Sequence, residues 1–227
     1  MSLDLGTLKD IQVAGRKAIS PQRTTSDGQL GDLWLSRDGA LVTMDWYTAM
    51  ALEGRVYNIN VATPDTTMTA AVNYDATHPS VIAVAPAGTI MIPVFFNIAL
   101  EDASGTDNHI IIGCDSANLY ASGGTAVSSA YNIRTDEPNA SAVTVKYASD
   151  SAITVTDPGV GERILYNYIN AFADATTSPA LVVDWQPKAP PVLVGPATFF
   201  VYVWAASTAS EYEFSFQYIE LPNNAIV

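Results

Sequence analysis

The sequence is short of the residues that reactive sites most often draw on. It has one cysteine, Cys114, and two histidines, His78 and His109. A zinc centre needs several nitrogen or sulfur ligands, so one thiol and two distant imidazoles argue against one. No disulfide can form within the chain. Cys114 follows the apolar run 110–113 and reads as a small buried hydrophobe. Basic residues are scarce too: ten Lys and Arg against 23 Asp and Glu, a net charge of −13. Phosphate binding needs a basic footprint, so nucleic acid is disfavoured as a partner. An anionic membrane surface is disfavoured for the same reason. No apolar run nears the ~20 residues of a spanning helix. The opening MSLDLGTLKDIQ lacks a basic stretch followed by an apolar one, so no signal peptide is expected. Synthesis is expected in a cytoplasm, with any exit by another route such as lysis.

Catalytic patterns are missing as well. There is no Gly-x-Ser-x-Gly elbow, and Gly159-Val160-Gly161 is too short to cradle a phosphate. Paired carboxylates stay open, because their separation is a three-dimensional fact. No catalytic residue is nominated, and the chain is read as non-enzymatic. Calcium prefers oxygen ligands. Glu101, Asp102, Asp107 and Asn108 flank one loop, and Asp157 and Glu162 another. Neither loop has EF-hand spacing, and solvated acidic loops are the favoured reading. No metal or cofactor is assigned. Asn139-Ala140-Ser141 matches a glycosylation sequon, which means nothing without a secretory route.

What is present is hydrophobic. Apolar residues make up 48% of the 227 and charged residues only 15%. The first figure excludes a disordered polymer. The second is low for a fully solvated monomer, and points to surface lost in contacts. Charge is unevenly spread. Residues 1–58 carry six basic against seven acidic residues, and residues 59–227 four against sixteen. A near-neutral front and an acidic body suggest a segment with its own partner.

The front reads as an arm. After a polar connector at 20–31, residues 32–42 form a small hairpin with Asp38-Gly39 in its turn. Residues 45–54, DWYTAMALEG, form a short helix with Asp45 to cap it and Gly54 to stop it. Trp34, Trp46 and Tyr47 are candidate docking anchors, with Arg16, Lys17 and Arg23 beside them in sequence.

From Arg55 onward short apolar runs alternate with turn residues. Strands are expected near 56–61, 67–73, 80–85, 89–100, 109–114, 126–134, 142–147, 152–156, 163–171, 180–185 and 192–194. Pro93 places its strand at an edge or at a bulge. So many short strands with hardly any helix mean an antiparallel β-sandwich, and their number favours a jelly roll. Residues 197–221 read as one closing hairpin. Phe199, Val201 and Val203 share one face of its first arm, and Phe200, Tyr202 and Trp204 the other. Both faces need covering, by a second sheet and by either a loop or another subunit, which makes 199–204 the candidate self-association strand. In the second arm Tyr212, Phe214, Phe216 and Tyr218 face inward, with Glu213, Ser215 and Gln217 on a wet side. Four Trp and eleven Tyr keep a sugar-binding head as the alternative, since jelly-roll lectins stack sugars on aromatics.

Two stretches carry a family resemblance. The run PPVLVGPATFFVYVWAASTASEYEFSFQYIELP resembles the closing hairpin of small β-sandwich virion proteins of tailed bacteriophages. The front is similar to their lead-in: Ser20-Pro21 with Arg23-Thr24, then Gly39-Ala40-Leu41-Val42, then an aromatic helix running into Gly54-Arg55-Val56-Tyr57. The likeness covers about a third of the chain and rests on composition and order. It implies a jelly-roll decoration, minor or major capsid component on the capsid exterior. It further implies a homotrimer that docks on another capsid protein through residues 1–58. It carries over no active site.

Overall fold

The computed structural model describes residues 45–61, 67–69, 71, 73–102, 107–127, 130–137, 139–148, 152–156, 163–171, 182–205 and 211–225. The chain divides into two compact units, 1–54 and 55–227. The body thus begins earlier than residue 59, because Val56–Asn60 is itself a strand of a body sheet.

In the first unit, helix α1 spans Trp46–Leu52. Asp45 caps it by accepting from the Thr48 N–H at 3.0 Å. Gly54 stops it with φ of +67°, a conformation that glycine adopts without steric cost. The expected hairpin at 32–42 lies outside the described residues.

The body strands, in chain order, are β1 (Val56–Asn60), β2 (Met68–Thr69), β3 (Val81–Ala85), β4 (Thr89–Asp102), β5 (Asp107–Asp115), β6 (Tyr120–Ser122), β7 (Thr125–Ala126) and β8 (Tyr131–Asn132). They continue with β9 (Thr144–Tyr147), β10 (Thr154–Val155), β11 (Ile164–Ala171), β12 (Val182–Trp185), β13 (Leu193–Val194), β14 (Ala197–Ala205) and β15 (Glu211–Pro222). The all-β reading holds, and most of the sequence-expected strands fall in place. The expected 126–134 strand splits between β7 and β8, which belong to different sheets.

The first sheet runs β12-β4-β15-β1-β8, and the second β11-β5-β14-β3-β9-β7. Take the eight main strands β1, β3, β4, β5, β11, β12, β14 and β15 as first to eighth. The first sheet then reads 6-3-8-1 and the second 5-4-7-2. Pairs 1–8, 2–7, 3–6 and 4–5 are all made, antiparallel. This is a long hairpin rolled up on itself, the jelly roll. The residues between β5 and β11 form an excursion. It adds β7 and β9 to the second sheet, β8 to the first, and a separate β6-β10 pair.

The topology corrects one expectation. Residues 197–221 are not a hairpin, because β14 and β15 lie in opposite sheets. Each is a central strand with neighbours on both sides. Of the two places open to Pro93, the structure takes the bulge. The β4–β15 register slips where Gln217 pairs with Phe95 and Tyr218 with Pro93. β4 itself is an interior strand.

The core lies between the sheets. Phe96, Phe199, Phe214, Phe216 and Tyr218 are all at most 2% exposed. Phe96 stacks on Phe214 at 5.6 Å, and Trp185 leans on Phe199 at 5.7 Å. Alternation delivers these rings. Every second residue of β15 from Tyr212 to Tyr218 is buried, and the residues between are half-buried.

Candidate interaction surface

β14 is buried on both faces. Phe199, Val201 and Val203 join the core between the sheets. On the other face Phe200 and Tyr202 join a second cluster with Ile82, Ile111, Leu119, Ile153 and Val155. The last three come from the excursion, so the chain's own loop covers the strand. Thr198 clamps that cover down: its Oγ1 donates to the Ala117 carbonyl at 2.7 Å and accepts from the Leu119 N–H at 3.0 Å. Ser80 closes the adjoining side. Its hydroxyl donates to the Val203 carbonyl at 3.1 Å and accepts from the Val203 N–H at 2.9 Å. The Tyr202 hydroxyl donates to the Ala76 carbonyl at 2.7 Å, and burial pushes this phenol above the usual tyrosine range. Phe199, Phe200, Val201, Tyr202 and Val203 therefore have almost no surface to offer another subunit. Of the candidate self-association strand only Trp204 is partly exposed.

Trp204 marks where the cover ends. It stacks on His109, with ring centroids 4.7 Å apart and planes within 5°. Tyr74, 42% exposed, leans on Trp204 at 5.1 Å. The cross-strand row runs Trp204, His109, Ile169 through β14, β5 and β11. β11 ends the second sheet. Its Tyr166 and Tyr168 stack on each other and pack on the core. Ile164, Leu165 and Ile169 are 43%, 39% and 58% exposed. The strand ILYNYINA carries no charge and no proline.

No protein-family model matches the chain, and no curated protein matches it either.

Polar clusters elsewhere are occupied locally. Asp75, Thr77 and His78 form a self-contained turn. Asp75 accepts from the Thr77 N–H at 2.8 Å and its hydroxyl at 2.6 Å, and His78 Nδ1 lies 2.9 Å from the other carboxylate oxygen. Hydrogen bonds, from Thr77 above all, hold the Asp75 carboxyl down to about 2. Thr77 and Asp75 both address Nδ1 of His78. A catalytic triad needs its nucleophile and its orienting acid on opposite ring nitrogens. Lys146 Nζ donates to the Tyr120 hydroxyl at 2.7 Å and sits 4.6 Å from that ring's centre. Ser141 of the sequon shares its hydroxyl with Tyr218 and Glu220, each at 2.6 Å.

Of the docking candidates, Trp46 is 49% exposed on α1 and Tyr47 is half-buried. Arg16, Lys17, Arg23 and Trp34 lie outside the described residues. So do Asp157 and Glu162, and the side chains of Glu101, Asp102 and Asp107. Asn108 is fully buried and accepts from the Tyr212 hydroxyl, so it turns to the core rather than to its loop. Among the described residues no three His, Cys, Asp or Glu side chains gather as metal ligands. Ile164, Leu165 and Ile169 were not singled out by sequence reasoning. Their signal was an eight-residue run without a charge, six of its residues apolar, in a strongly acidic body.

Proposed function

We propose that the chain is a non-enzymatic structural protein of a tailed-bacteriophage virion. In this reading its jelly-roll body self-associates, and residues 1–54 dock it on the capsid shell. The observation that carries the proposal is the strand order 6-3-8-1 over 5-4-7-2 around a ring-filled interior. That architecture serves viral shells and lectins, and its interior here is filled by packed aromatic rings. The low share of charged residues supports burial of surface between subunits. The family resemblance implies three copies and a place on the capsid exterior.

The test compares the full chain with a version lacking residues 1–54, each mixed with purified shells and sedimented. The full chain is expected to travel with the shells. The truncated body is expected to stay behind while keeping the circular dichroism of a folded β protein. Equal sedimentation of both sinks the docking role of the arm, and failure of the full chain to bind shells sinks the virion reading.

A second reading is a glycan-binding head on a fibre or spike. Exposed Tyr74 leaning on Trp204 favours it, because sugars stack on such rings. Saturable binding on a glycan array that is lost in Tyr74→Ala would select it.

A further inference from the structure

Among the described residues the two main sheets run between four end strands, and these are unequal. The first sheet ends in β12, four residues long, and β8, two residues long. The second ends in β7, two residues long, and β11, eight residues long. Short edges offer little backbone for a foreign strand to pair with, whereas a long one is a template. Natural edge strands are commonly blunted by charge or proline. β12 presents exposed Asp184. β11 has neither charge nor proline, its one slip in register against β5 falls at Leu165 and leaves Tyr166–Ala171 regular, and it exposes Ile164, Leu165 and Ile169. Among the described residues it pairs on one side only, with β5.

We propose that β11 pairs antiparallel with β11 of a second copy, across a two-fold axis at Asn167. The sequence of the strand selects this occupant. Around Asn167 it reads Leu165-Tyr166-Asn167-Tyr168-Ile169, nearly the same in both directions. An isologous contact needs such self-complementarity, because every residue meets its symmetry counterpart. In the antiparallel pair Asn167 faces Asn167, Tyr166 faces Tyr168, and Leu165 faces Ile169. Each is a like-with-like or apolar pair of the kind that stabilises neighbouring strands. Electrostatics points the same way. Two bodies that each carry sixteen acids against five bases repel. They approach best along a strip without charges, so that no acid stands directly opposite another. A cationic peptide, by contrast, would find no carboxylate on this strand to recognise.

The contact joins copies in pairs whatever else the assembly contains. It rests on the self-association part of the proposed function and not on the virion part. Pairing in solution by a chain that ignores shells would keep this inference and sink the other.

The experiment is cysteine cross-linking of the full chain in a Cys114→Ala background. Neighbouring Cα atoms across an antiparallel pair are ~4.5–5.5 Å apart, within disulfide range. Asn167→Cys is expected to give a covalent pair on a non-reducing gel after mild oxidation. A mixture of Leu165→Cys and Ile169→Cys chains is expected to cross-link more than either alone. In parallel, Asn167→Lys places like charges face to face and is expected to raise the dissociation constant about tenfold or more. Thr125→Lys, on the short opposite edge, is expected to leave it unchanged. Sedimentation velocity over a concentration series reads both. A folded Asn167→Cys chain that stays uncross-linked overturns the proposal. So does a pair whose affinity Asn167→Lys leaves intact, which would put the contact elsewhere.

Discussion

The rings of Phe199 and Phe216 lie parallel across the gap between the two sheets, with centroids 5.0 Å apart and planes within 6°. Phe199 belongs to β14 and Phe216 to β15, so this contact ties together the middle strands of both sheets. Both side chains are fully buried. Phe199→Ala is expected to cost about 3–5 kcal/mol, through lost apolar burial and the cavity left behind. Chemical denaturation gives the number. The remaining folded protein is expected to keep its native self-association. A change in solution mass with little loss of stability would return Phe199 to the subunit interface.

The cover over Phe200 and Tyr202 hangs on Thr198. Thr198→Val keeps the shape and removes both hydrogen bonds, leaving the buried Leu119 N–H without its partner. The expected cost is about 1–3 kcal/mol. The Leu119 amide is expected to exchange with solvent faster than amides of the β4–β15 pair. Unchanged exchange at Leu119 would show that the clamp contributes nothing.

Stability is expected to fall on the alkaline side. Burial raises the Tyr218 phenol first of all; the neighbouring Glu220 adds to the rise, and the Ser141 hydrogen bond partly opposes it. Burial raises Tyr202 likewise. In the unfolded chain both titrate near 10. Above that pH the unfolded chain releases protons that the folded chain retains, so rising pH favours unfolding. Their contribution is complete below pH ~10 and fades as pH climbs towards the raised folded values. The urea midpoint, followed from pH 8 to 12, is expected to be level at first and then to drop. Tyr218→Phe is expected to drop less steeply. A slope in that variant equal to the parent's contradicts the assignment.

Local features were legible in the sequence because local chemistry sets them. The Asp45 cap and the Gly54 stop read directly as ends of α1. The alternation in β15 told which of its residues face the core. Pairing was harder. Residues 206–210 are few, small and polar, as a hairpin turn would be, yet sheets packed face to face are only ~10 Å apart. A short link can therefore cross the sandwich as readily as fold back. The two-faced burial of β14 was readable. That its cover would come from Leu119, Ile153 and Val155 was not, because isolated apolar residues in loops and two-residue strands carry no address. The edge position of β11 was hidden for a related reason. Apolar alternation marks a strand but does not say how many neighbours it has.

The strand order also dictates when this body can assemble. β14 and β15 come last in the sequence of strands, yet each sits in the middle of its sheet, between β5 and β3 and between β4 and β1. A nascent chain that has emerged only as far as residue 196 owns flanks without centres. Its strands must wait, open along their inner edges, until β14 and β15 have left the ribosome. A chain cut short between β13 and β14 is left with two split half-sheets instead of a shortened but working fold.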